Sequence, residues 1–444
     1  VHVGASTLFV AGKGTVLSWP ATEPTFYDSF VLWEAFTENL MTRGSSSELG
    51  GAVSCIASLN GGKGVHVGKG TRLEDSSSAS GGGAVSANLC AVAMVGASIV
   101  NSTTQTGDGG AVLLSLDSTL SVDGLTTFES NTAALGSGGA ISCRKCGSMQ
   151  FKNGTQFQLN TAGSSGGALH LSFPKSPVIS SGTHFLTNVA AENGGAIDSH
   201  DGNWTSLGDQ YESNVAVAGS GGAFASFVTT VRLDATTSCT KNEALQGGGG
   251  CLLWEPEAKN LEDEKWKRLE PLIGDMRLMM SNEAAYGAKL ATPGASLRAA
   301  VASVDSTTAL ARMTTNNQNI LAPLHPKVEV LDWYGSVVRG AFAGDVEVKA
   351  ILLNDGAELF GGITSDVNTD TNGTTKFTSL GLQGAPSTGP FHLVFTSTTS
   401  GGYELHAPTK LAAFINNCTF PTFFDSNSAG QSCNTCPSNS EPDV

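Results

Sequence analysis

Charge is scarce in this chain: Lys, Arg, Asp and Glu together make up 14% of 444 residues. Bases are the scarcer sign, 24 Lys and Arg against 39 Asp and Glu, for a formal net charge of −15. With no basic patch to neutralise phosphates, nucleic acid is not an expected partner. The negative balance reads as the solubility charge of an extracellular protein, with divalent cations or basic partners as the alternative. No run approaches 18 apolar residues, so no direct membrane span is expected. Nor does the chain contain a G-x-S-x-G elbow, a P-loop, an H-E-x-x-H helix or an EF-hand loop. It opens at Val1 inside strand-like sequence and shows no signal peptide, which reads as a processed chain without its leader.

What the chain has is glycine, 55 residues of it, and the glycine is periodic. Gly-Gly-Ala followed by an apolar residue recurs, its second glycine at Gly51, Gly83, Gly110, Gly139, Gly167, Gly195 and Gly222, with a degenerate copy at Gly249. The successive gaps are 32, 27, 29, 28, 28, 27 and 27 residues, the mark of a solenoid with one repeat per turn. An aromatic residue followed three positions later by Asn precedes most copies: Phe36 and Asn39, Phe128 and Asn131, Phe157 and Asn160, Phe185 and Asn188, Tyr211 and Asn214. Cys239 and Asn242 keep the Asn and replace the ring with sulfur, Leu73 and Ser76 stand in the second copy, and the third keeps only Asn101.

Ser, Thr, Gly, Val and Phe dominate these repeats, a composition for short strands and tight turns. Three strands and three bends account for about 28 residues, with coils stacked at roughly 4.8 Å. The rings of Phe128, Phe157 and Phe185 are expected to stack in a narrow interior. The Asn side chains are expected to bond from coil to coil as an amide ladder. The Gly-Gly step supplies backbone angles and close approaches closed to other residues.

The pairing of FxxN with GGA[ILV] resembles the repeat of chlamydial polymorphic outer membrane proteins, shared by large secreted surface proteins of algae and oomycetes. The resemblance covers roughly residues 28 to 292 and implies an all-β fold, a right-handed parallel β-helix. Asn282, Ala284, Tyr286 and Gly287 match the N-x-A-x-YG segment that often ends the eukaryotic arrays. The expected division is an N-terminal cap and first coil over 1–40 and a β-helix over 41–296. A linker over 297–324 and an immunoglobulin-like antiparallel β-sandwich over 325–408 follow, then a cysteine-containing tail over 409–444. The rhythm of Lys327 to Trp333 and of Thr375 to Leu382 resembles immunoglobulin-like modules of surface proteins. Cys418, Cys433 and Cys436 resemble the start of the cysteine-rich modules that follow such arrays.

One segment breaks the phase. Glu257 to Arg277 is charged and helix-favouring, and Trp266, Leu269 and Leu272 are expected to pack this insertion onto the solenoid, with an interchain contact as the alternative. Trp19, Phe26, Phe30 and Trp33 are read as a cap over one open end, with the sandwich over the other.

Five N-x-[ST] sequons occur. Asn153, Asn203, Asn372 and Asn417 are taken as candidate sites for N-linked glycans, and Asn101 is set aside as a buried ladder position. Of nine cysteines, Cys143 with Cys146 and Cys433 with Cys436 form CxxC pairs. They suit a structural zinc site or, in a secreted protein, disulfides, which is the preferred reading. Cys55 and Cys143 fall at equivalent positions three coils apart, too far to bond; Cys239 with Cys251 is the better pair.

Many parallel β-helices act on polysaccharides through Asp, Lys and Arg on one face. Here His170 aligns with Asp198 one repeat on, and His200 and Asp201 follow, a set with the residue types for metal binding or acid–base work. Without Lys or Arg at repeat-equivalent positions, a hydrogen bond between stacked side chains is the preferred reading, so no catalytic residue, metal or cofactor is assigned. The expectation is a non-enzymatic, glycosylated extracellular protein assembling with itself or with other surface subunits into a filament, coat or flagellar hair (mastigoneme). A carbohydrate- or receptor-binding adhesin and a carbohydrate-active enzyme are the alternatives.

Overall fold

The computed structural model describes residues 50–56, 63–256, 269–301, 325–340, 346–366, 373–385, 388–398, 404–407 and 410–415, with short strands at 2–3, 16–18, 35–36, 40–42, 45–46, 312–315, 422–424 and 433–435. It divides into two units. Val1–Glu257 with Asp263–Thr292 forms the first, and Ala258–Glu262 with Pro293–Val444 the second.

The first unit is a parallel β-solenoid with four strands per coil, not three. One coil runs Ile141–Arg144, Met149–Phe151, Gln156–Gln158 and Thr161–Ala162, and each strand pairs in parallel with its counterpart in the next coil. Stacking these strands gives four sheets of ten, nine, ten and nine strands, here numbered I to IV in that order along the coil. Sheet IV, built of two-residue strands after each ladder position until the longer Glu243–Gly248 and Glu283–Tyr286, is the one the repeat length concealed.

Two backbone requirements explain the glycine pair. Gly166 sits at φ 70°, and a Cβ on Gly167 would stand 2.1 Å from the carbonyl oxygen of Gly195 in the next coil. The first position needs left-handed angles and the second needs the absence of a side chain. The degenerate copy is shifted by one from the sequence reading. Gly249 holds the positive φ, and Gly250 is the crowded second glycine, its Cβ 2.6 Å from Ala288 O.

Inside, the rings stack as expected. Phe128, Phe157, Phe185 and Tyr211 lie nearly parallel at centroid distances of 4.8, 5.1 and 5.0 Å. The flanking Phe151 meets Phe157 edge-on at 5.4 Å, and Trp204 meets Phe185 at 6.2 Å. Leu73 and Ile99 continue the column above and Cys239 and Met279 below. All four rings are buried, so the interior is filled rather than hollow.

Beside this column runs the amide ladder. The Asn160 Oδ1 accepts from both the backbone N–H and the Nδ2 of Asn131, each at 3.0 Å, while Asn160 Nδ2 donates to Phe128 O and to Asn188 Oδ1. The same pattern links Asn188 to Asn214, Asn214 to Asn242 and Asn242 to Asn282. Every buried amide therefore has partners for both its ends. The residue before each ladder position adopts positive φ, from Asp75 and Asn101 through Ser130 and Leu159 to Ser281.

That corner corrects the reading of the third copy. Asn101 occupies the exposed positive-φ position, and Ser102 holds the ladder place, its hydroxyl unpartnered but its N–H donated to Asn131 Oδ1. The first copy is corrected too. Ala35–Phe36 pairs within sheet II, and Met41 of Leu40–Thr42 stands opposite Leu73 in the ring column, so Phe36 is out of phase with the others. Asn39 lies outside the described residues.

Three disulfides cross the solenoid interior. Cys143–Cys146 and Cys239–Cys251 join candidates chosen from the sequence, and Cys55–Cys90 adds a pair it did not select. Cys418 and Cys436, like Trp19, Phe26, Phe30, Trp33 and Trp266, lie outside the described residues; Cys433 falls in the short strand Cys433–Thr435.

Only part of the charged segment departs from the repeat. Leu272–Ile273 rejoins sheet II opposite Arg232 and Leu233, and Met279–Met280 rejoins sheet III, so the insertion ends before Leu272 rather than at Arg277. Leu272 is exposed, not packed against the solenoid as expected: its strand position points outward, which outweighs the helical spacing that linked it to Trp266.

The second unit consists of small, mostly antiparallel sheets around Val328, Val330, Val348, Phe377, Leu393 and Phe395. Ser296–Val301 pairs antiparallel with Pro326–Leu331, and Arg312–Thr315 lies parallel to Leu411–Ile415. The segment 297–324 is therefore not simply a linker, and the sheets extend past residue 408.

Candidate functional site

Sheet I places its side chains alternately. In Leu169–Ser172, Leu169 and Leu171 point into the core, and His170 and Ser172 point out; in Ile197–His200, Ile197 and Ser199 are inward, and Asp198 and His200 outward. In-register pairing sets His170 beside Asp198 and Ser172 beside His200. Strand period and coil register together bring three titratable groups to one spot on the outer face.

The Asp198 carboxylate is the centre. Its Oδ2 lies 2.9 Å from His170 Nδ1 and 3.0 Å from His200 Nε2. The aspartate side chain is 1% exposed, against 16% for His170 and 39% for His200. Phe227, the neighbour of His200 in the next coil, stacks on its ring at 4.7 Å. Both imidazoles thus roof the carboxylate, and Asp198 Oδ1 is left buried with no hydrogen-bond partner. Asp201, grouped with these residues on sequence, sits exposed at a positive-φ turn and does not join them.

Charge follows from this geometry. Burial opposes ionisation of Asp198, yet hydrogen bonds and charge from the two histidines hold its carboxyl below the usual range. Burial also opposes the charged form of His200, and the Asp198 hydrogen bond and charge overcome it, raising the imidazole. An ionised carboxylate shared by two imidazoles can coordinate a cation or transfer a proton. Among the described residues, no other group of three or more His, Cys, Asp or Glu converges in this way.

The sequence reading found no Lys or Arg at a repeat-equivalent position, but the register supplies one. Arg144 lies two rungs from His200 in the same outward column, where Ser172 separates them. It is engaged elsewhere, its Nε donating to Asp108 at 2.9 Å.

The remaining candidates are dispersed. Asn153 is exposed at positive φ with its Nδ2 2.6 Å from Asp123 Oδ1, and Asn203 is exposed at the head of Asn203–Leu207. Asn101, set aside as buried, is exposed as well, 3.4 Å from Asp75 Oδ1. Asn372 and Asn417 lie outside the described residues. The sequence missed a different buried acid, Asp209, which burial pushes up to about 6 against hydrogen bonds from Ser206 and the Thr183 N–H. Its signal was available: Thr126, Thr155, Thr183 and Thr237 occupy the same bend in other coils. No helix of the described residues is long and apolar enough to cross a membrane. The chain matches no protein-family model, no curated protein and no solved structure.

Proposed function

We propose that this chain is a non-enzymatic structural module of a cell surface, a β-solenoid subunit of an extracellular filament, coat or flagellar hair. The observation that carries this reading is the filled, in-register stack: rings, amides and glycines repeat coil on coil with no lumen. Such a stack is stiff along its axis and presents flat faces for lateral assembly. Three interior disulfides fit an oxidising, extracellular setting. Exposed sequons at Asn101, Asn153 and Asn203 fit N-linked glycans there. In this reading the solenoid is of the polymorphic outer membrane protein-like kind that its FxxN and GGA[ILV] repeats resemble, carried by a surface protein with an immunoglobulin-like module. Size-exclusion chromatography and electron microscopy of concentrated protein test it. Ordered assembly is the expected outcome, and a strict monomer with no ordered assembly overturns it.

The His170–Asp198–His200 group favours a second reading, a carbohydrate-active β-helix. A polysaccharide panel with His170→Ala and Asp198→Ala controls separates the two: turnover lost in both variants replaces the structural reading with the enzymatic one.

A further inference from the structure

We propose that His170, Asp198 and His200 bind one divalent transition-metal ion of the zinc class on the outer face of sheet I. Three facts carry it. The three ligand atoms lie within 4.8 Å of one another on two adjacent strands whose register is fixed by the solenoid. The carboxylate at the centre is 1% exposed, and one of its oxygens has no hydrogen-bond partner. Oδ2 lies between the two imidazole nitrogens and Oδ1 of the same carboxylate is bare, so the charge buried here is only half satisfied by hydrogen bonds, and a cation at the group would balance it.

The donor set selects the class of ion. Calcium and magnesium favour cages of oxygen, whereas two imidazoles with one carboxylate suit zinc, cobalt, nickel or copper. Zinc bonds of about 2.0–2.2 Å in a tetrahedron place ligand atoms about 3.3 Å apart. The Asp198 contacts of 2.9 and 3.0 Å therefore open by about 0.3 Å when the ion enters. The ion takes the lone pairs of His170 Nδ1 and His200 Nε2, so each neutral ring then carries its proton on the other nitrogen. Three protein ligands leave a fourth position, and the 39% exposure of His200 puts it on the solvent side. Small side chains stand beside two of the ligands, Ser142 next to His170 and Ala225 next to Asp198, while Phe227 backs the ring of the third, His200.

The test titrates the metal-free, disulfide-intact chain with Zn²⁺ by calorimetry and with Co²⁺ by visible absorption. One equivalent of Zn²⁺ is expected, with the intense Co²⁺ bands of a tetrahedral site. His200→Ala, His170→Ala and Asp198→Asn are each expected to weaken binding by about 100-fold or more, beyond what outer-shell changes cause. His184→Ala, in a sheet III strand, is the control and is expected to leave the affinity unchanged. Asp198 is buried, so circular dichroism checks the fold of its variant, and the more exposed His200→Ala decides the question if that variant unfolds. Absence of stoichiometric Zn²⁺ binding overturns the proposal, as does binding that survives His170→Ala and His200→Ala unchanged.

Discussion

Asp209 is an acid where the repeat asks for a hydroxyl, and replacing it with threonine should make stability less dependent on pH. In neighbouring coils the bend before sheet III carries buried threonines; Thr126 and Thr155 donate their Oγ1 protons to Asp123 O and Lys152 O three residues back. Asp209 fills that place with a carboxylate that accepts from Thr183 N–H at 2.8 Å and from Ser206 Oγ. Burial outweighs those bonds, and the nearby Asp234 charge adds to it, so the folded carboxyl stands at about 6 against an ordinary 3.8. The sign follows directly. Between these values the folded chain keeps a proton that the unfolded chain has lost, so unfolding free energy falls as pH rises from about 4 to about 6 and is level beyond. A gap of about 2 units is worth about 3 kcal/mol. Asp209→Thr removes that term while supplying an oxygen for the Thr183 N–H, as Thr126 Oγ1 does for Ala97 N–H. Urea unfolding of both proteins at pH 3.5 and pH 7.5 measures it. The stability of the variant relative to the parent should rise by about 3 kcal/mol from the lower to the higher pH. Every other carboxylate is common to both proteins and cancels, apart from Asp234, whose coupling to Asp209 is lost with the substitution. The same difference at both pH values would refute the reasoning, because Asp209 would then ionise in the fold without cost.

Three further outcomes test the repeat itself. Asn188→Ala strips the acceptor from Asn160 N–H and Nδ2 and the donor from Phe157 O; three buried groups at about 1–3 kcal/mol each predict a loss of about 3–9 kcal/mol in chemical denaturation. Gly167→Ala sets a methyl 2.1 Å from Gly195 O, backbone that cannot step aside, so a loss of at least about 3 kcal/mol and new protease cleavage near that coil are expected. Cys251→Ala restores the residue found after the glycine pair elsewhere, so packing is kept and only the link to Cys239 is lost. The expected cost is about 3 kcal/mol, and chemical reduction should destabilise the parent at least as much.

Inward and corner positions were legible because each coil repeats the same physical demand. Phe157, Asn160 and Gly167 read clearly since a ring, an amide and a bare backbone are irreplaceable where they sit. The misses fall where that demand is met by something less distinctive. Sheet IV strands such as Thr161–Ala162 have two residues, too few to alternate. Ser102 does part of the work of an asparagine, which let the adjacent Asn101 be mistaken for the ladder residue. Gly247 to Gly250 form a run with no internal phase, so the pair was placed one residue early. Cys55–Cys90 needed the register. Cys55 stands in the column of Ala87, Leu114 and Cys143, and Cys90 and Cys146 each follow a positive-φ corner, Leu89 and Lys145. The bridge is the Cys143–Cys146 arrangement carried across one coil.

The outward column of sheet I was the hardest to weigh, and for a physical reason. Through consecutive rungs it reads Ser142, His170, Asp198, Ala225 and Leu253, side chains with no common role in holding coils together. The stack needs nothing particular there, so two histidines around a buried aspartate are not explained by the solenoid. Sequence could align His170 with Asp198, but it could not show that Asp198 is roofed or that one of its oxygens lacks a donor. A surface hydrogen bond between stacked side chains, the preferred sequence reading, accounts for the two contacts at Oδ2 and leaves Oδ1 without a partner. The ladder asparagines, equally buried, leave no such remainder. The rod and the cluster are therefore separable: the first follows from the repeat, and the second is where this chain departs from it.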